Sequence, residues 1–177
     1  MVSFTLLTGL TGALTLVLGA AWPEEKCQPI YSTKNWFFAL GALLMLGYAL
    51  LNYFFAGGFA FFILLECLII VASILMMMDV SDRINTIVLS VLGLALVALA
   101  IFLGEDSNTI YFIAGLMGIG LGYTFNMGSV RRFLALTLGS TLIALFSYFA
   151  GDMIFLGLNA FFALFSAYYL VKILRKS

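Results

Sequence analysis

Residues Trp36–Met78 read WFFALGALLMLGYALLNYFFAGGFAFFILLECLIIVASILMMM. The run contains no Lys, no Arg and no Pro, and its single charge is Glu66. A helix crosses the hydrocarbon core with about 20 apolar residues, so this stretch is about two spans long and must reverse once within itself. The small residues Ala56, Gly57 and Gly58 supply the place to do so.

Working outward, the rest of the chain has the same character. Hydrophobic residues are 64% of the sequence and charged residues 9%, which leaves too little polar surface to cover a water-soluble fold. Seven apolar segments follow one another: Phe4–Ala21, Trp36–Phe55, Phe59–Met78, Thr86–Leu103, Thr109–Met127, Phe133–Phe149 and Met153–Val171. Between them lie WPEEKCQPIYSTKN, AGG, DVSDRIN, GEDSN, GSVRR and AGD. The expected fold is therefore an all-α integral membrane protein with seven transmembrane helices. The first segment lacks the basic start of a secretory signal and is read as a mature helix.

The charges give a test of this count. With seven spans, one side of the membrane holds Lys26, Lys34, Arg83, Arg131, Arg132, Lys172, Arg175 and Lys176, which are all 8 basic residues of the chain. The opposite side holds Glu105, Asp106 and Asp152. Basic residues accumulate in cytoplasmic loops, so the N-terminus is expected outside and the C-terminus in the cytoplasm.

The chain also echoes itself. FFAG at Phe54–Gly57 matches YFAG at Tyr148–Gly151, an offset of 94. TGLTG at Thr8–Gly12 matches AGLMG at Ala114–Gly118, an offset of 106. Helix order agrees: one with five, two with six, three with seven. The unpaired fourth helix inverts the chain, so the two triplets run the same way, a 3+1+3 pair of parallel repeats. The corresponding divisions are a first bundle over 1–84, a linker helix over 85–107 and a second bundle over 108–177.

Several functions are disfavoured by composition. The chain has no His, which removes the commonest metal ligand and general base. Cys27 and Cys67 fall in a loop and a helix, so neither a disulfide nor a thiolate metal site is expected. Zero net charge offers nucleic acid no basic surface. With a single deep acid there is no pair of carboxylates for acid–base work, so no enzyme, cofactor or metal is expected.

Glu66 is the most informative residue. A charge deep in a bilayer helix costs at least about 2.5 kcal/mol on insertion scales and normally faces a cavity or a partner. It reads either as a substrate or proton site, or as a neutral carboxyl in one interhelical hydrogen bond. With one residue of slip, LLECLIIVAS aligns with GLNAFFALFS, which pairs Glu66 with Asn159 and Ser73 with Ser166 across the repeat axis. Asn52, with Tyr48, sits toward the outer end of helix two, matched by Ser147 and Tyr148 on helix six. Thr8, Thr11 and Thr15 either line a polar stripe on helix one or bond back to the preceding turn. Tyr123 and Asn126 are candidates for a cytoplasmic gate. Gly115, Gly118, Gly120 and Gly122 mark helix five for close packing.

In this layout the chain resembles the SWEET sugar transporters and the PnuC vitamin transporters, and also the small bacterial inner-membrane proteins of the YgjV type. The resemblance is carried most by NMGSVRRFLALTLGSTLIALFSYFAGDMIFLGLNAFFALFSAYYLVKIL at Asn126–Leu174. Pro23 stands near where SWEET-type proteins carry a Pro-Gln pair, here followed by Glu24. The resemblance implies a multi-pass protein of the inner (cytoplasmic) membrane. It would move a small polar metabolite, sugar-like or vitamin- or nucleoside-like, by alternating access, with proton linkage left open. It also implies that Asn159, an Asn at this depth of a third repeat helix, lines the substrate site. Two other readings remain: the substrate-binding membrane subunit of an energy-coupling vitamin importer, and a structural or regulatory membrane protein. Expected partners are the bilayer and a small-molecule substrate, with a homo-oligomer left open.

Overall fold

The computed structural model describes residues 2–23, 28–78, 80–104, 106–126 and 128–175. Among these it contains seven α-helices: α1 Val2–Ala21, α2 Thr33–Ala56, α3 Phe61–Met77, α4 Asp82–Leu103, α5 Thr109–Thr124, α6 Val130–Phe149 and α7 Met153–Leu174. A short 3₁₀ turn, Pro29–Tyr31, precedes α2. Cys27, Lys26, Glu105 and Lys176 lie outside the described residues.

Five helices, α1, α2, α4, α6 and α7, are long and apolar enough to cross a membrane. Helices α3 and α5 are equally apolar but have 17 and 16 residues. At 1.5 Å per residue they reach about 25 Å, somewhat short of a hydrocarbon core of about 30 Å. The exposed surface carries many large apolar side chains. Phe102 is 85% exposed and Leu164 73%, a surface that lipid solvates and water does not. The chain is thus a helical multi-pass membrane protein.

The helices differ from the apolar segments mainly at their beginnings. Thr33–Asn35, Asp82–Asn85 and Val130–Arg132 are helical although polar, because a first turn can stand in the interface. In contrast, α3 starts at Phe61 rather than Phe59, and α5 ends at Thr124 rather than Met127. Phe59 and Ala60 are spent in the turn after α2, and Phe125 takes an extended conformation.

The chain divides into two compact units, Met1–Ser81 and Asp82–Ser177. In the first, α1 and α3 each pack on α2. In the second, α4 packs on α5, α5 on α6 and α6 on α7. The α1–α2 contact rests on missing side chains. A Cβ on Gly12 would meet the Met45 nitrogen at 3.0 Å, and one on Gly41 would meet the Leu16 nitrogen at 2.9 Å. The α5–α6 contact is built the same way: a Cβ on Gly118 would lie 2.8 Å from the Gly139 Cα and 3.1 Å from its nitrogen. Small residues let membrane helices approach closely where no hydrophobic force drives them together.

Both hairpin turns between the last two helices of each unit use a left-handed glycine, Gly57 at φ 71° and Gly151 at φ 72°. Around Gly57 the Asn52 carbonyl accepts the following N–H groups, which closes the end of α2. After Gly151, the Asp152 carboxylate accepts the N–H groups of Ile154 and Phe155 at 3.1 Å each and caps α7.

Candidate functional site

Glu66 is the sixth residue of α3, so its Cα lies about 7.5 Å inside the start of that helix. It is fully buried, at 0% exposure, among the apolar neighbours Leu64, Leu65 and Leu68 of its own helix, which are buried as well. Neither carboxyl oxygen has a hydrogen-bond partner among the described residues. A buried carboxyl with both oxygens unsatisfied is costly. Cys67, next to it, is a free thiol and partly buried.

Ser73 stands about two turns further along the same face of α3, also buried. Its hydroxyl donates to the Ile69 carbonyl at 2.8 Å. On α7, Asn159 and Ser166 repeat this spacing and are both buried. The Asn159 amide donates to the Phe155 carbonyl at 2.9 Å, which leaves its carbonyl oxygen for other partners. Each unit therefore presents one strongly polar group and one serine on a buried stripe of its last helix.

Asn52 is half-buried near the end of α2 and lies against the Gly58 backbone, in the turn toward α3. Tyr48, one turn earlier, is buried. Tyr148 is exposed, whereas the Ser147 hydroxyl is buried and donates to Ile143. Thr8, Thr11 and Thr15 donate to the carbonyls of Phe4, Leu7 and Thr11, so all three hydroxyl protons are used within α1.

The C-terminal end of α5 is tied on two sides. Arg132 donates to the Phe125 carbonyl at 3.2 Å, and its guanidinium lies 5.6 Å from the Tyr123 ring centre. From α4, Asn85 and Thr86 reach the carbonyls of Tyr123 and Thr124, both at 3.5 Å. These are the carbonyls a helix leaves without intrahelical donors. Tyr123 is half-buried in this cluster and Asn126 is exposed beyond it. Arg132, Asn85 and Thr86 were not singled out from sequence. The Arg131–Arg132 pair reads there as a topology marker, and nothing in it tells which arginine turns inward.

An open groove of about 530 Å³ lies between α5 and α6, lined by residues such as Met117, Leu121, Leu134 and Leu138. It is apolar and contains neither Asn159 nor Ser166.

Comparison of the chain with models of known families, with characterised proteins and with solved structures finds no match. The class these features define is a helical multi-pass membrane protein.

Proposed function

We propose that the chain is a transporter or facilitator of a small polar metabolite, sugar-like or vitamin- or nucleoside-like, that works by alternating access. The observation that carries this reading is Glu66, fully buried with both oxygens unpartnered among the described residues. Hydrogen-bonding groups that the fold does not use are what a polar substrate needs to exchange for water. Asn159 is the matching group of the second unit, with Ser73 and Ser166 about two turns further along their respective helices. Glu66 is the group on which a proton would travel with the substrate.

The proposal includes the 3+1+3 repeat with the N-terminus outside, the C-terminus in the cytoplasm, and the inner membrane as its location. The repeat is supported by packing register, both at glycines of the motifs that suggested it and at residues outside them. Gly12 and Gly118 are related by the offset of 106, Met45 and Gly139 by the offset of 94, and in each unit these two residues meet at the close helix contact. Two turns further on, Gly19 lies against Phe38, and the residues at the same offsets, Phe125 and Arg132, are hydrogen-bonded. The glycines of the two left-handed turns, Gly57 and Gly151, are again 94 apart.

A second reading is favoured by the Asn159 and Ser73 hydrogen bonds, which both close within their own helices. On that reading the buried polar groups are structural, and the protein has an assembly or regulatory role. Uptake by proteoliposomes separates the two. Labelled hexoses, nucleosides and water-soluble vitamins are offered with and without an inward proton gradient. Transport of one class, lost in Glu66→Gln, is expected; no uptake of any class above empty vesicles counts against the proposal.

A further inference from the structure

The α5–α6 groove has a chemistry of its own, independent of the transport reading. Its floor is made of Ala114, Gly118, Ala135 and Gly139, and its walls of exposed leucines. Arg131 stands at one end. The two adjacent arginines are thereby divided: Arg132 is used within the protein, on Phe125 and Tyr123, while the Arg131 side chain is exposed at the groove mouth. The start of α6, with the positive end of its dipole, is at the same place.

The length of the groove indicates what fills it. From Arg131 to Leu142 the rise along α6 is about 16 Å at 1.5 Å per residue. One leaflet of a hydrocarbon core about 30 Å thick is about 15 Å deep. A channel one leaflet long, apolar along its course and cationic at its mouth, complements a lipid with a negative head. Basic pockets between membrane helices are suited to such head groups.

We propose that this groove is a binding site for an anionic phospholipid, with the phosphate on Arg131 and one acyl chain laid along Gly118, Ala135 and Gly139. The test is a thermal melt of the purified full chain in detergent, titrated with phosphatidylglycerol or with phosphatidylcholine of the same acyl chains. Phosphatidylglycerol is expected to raise the melting temperature at a concentration at least tenfold lower than phosphatidylcholine. Arg131→Gln should abolish that preference, and Arg175→Gln, an exposed cation at the end of α7, should keep it. Ala114→Phe, at an exposed floor position, should weaken the response to both lipids. Equal responses in the wild type would overturn the proposal. So would a preference that survives Arg131→Gln, one that Arg175→Gln also removes, or a lipid response untouched by Ala114→Phe. A lipid-insensitive dimer that Ala114→Phe dissociates would assign the groove to a second copy instead.

Discussion

At the scale of the residue, Glu66 sets stability against function. Neither of its oxygens has a partner among the described residues, so the carboxyl bears its desolvation, about 1–3 kcal/mol for a polar group left unsatisfied. Glu66→Leu is therefore expected to raise the melting temperature while removing transport. A lower melting temperature for Glu66→Leu would mean that the carboxyl holds the fold together, as the structural reading requires. Asp152 behaves oppositely, since its carboxylate caps α7. Asp152→Ala should destabilise the protein by about 1 kcal/mol and Asp152→Asn by much less, measured by the same melt. Glu66 was legible in sequence because a lone acid in an apolar run is conspicuous. Arg132 was not, because its role depends on the carbonyls that α5 leaves open, which no local pattern announces.

At the scale of the element, glycine positions that look alike in sequence separate by what faces them. A Cβ on Gly139 would sit 2.6 Å from the Ile119 nitrogen, whereas one on Gly157 would meet nothing within 4 Å. Gly139→Ala is expected to cost about 1–3 kcal/mol by forcing α5 and α6 apart. Gly157→Ala should be neutral or stabilise by up to about 1 kcal/mol through helix propensity. Chemical denaturation of the two variants in mixed micelles measures the difference, and equal effects would contradict the packing described. Helix number and the two weak breaks, AGG and AGD, were readable because a span has a fixed length and the glycine at each break is needed at positive φ. Helix beginnings were not, since polar first turns such as Asp82–Asn85 are helical without being apolar.

At the scale of the whole molecule, the segregation of basic residues predicts sidedness. Single cysteines placed in a Cys27→Ser, Cys67→Ser background report it through a membrane-impermeant thiol reagent. A cysteine at Ser107 should label from outside intact cells, and one at Ser129 only after the membrane is opened. The reverse pattern would contradict the proposed orientation. The central claim, that Glu66 in the first unit and Asn159 in the second are kept for a polar substrate, is tested most directly by ligand-dependent melting of the purified protein. Wild type, Glu66→Gln and Asn159→Ala are each scanned against a panel of sugars, nucleosides and vitamins. A ligand that binds only the native state adds about 2.7 kcal/mol at a hundredfold excess over Kd. One chemical class should raise the wild-type melting temperature and leave both variants unmoved. A panel that shifts none of the three, with both variants simply melting earlier than wild type, would contradict the claim and assign Glu66 and Asn159 to the structure alone.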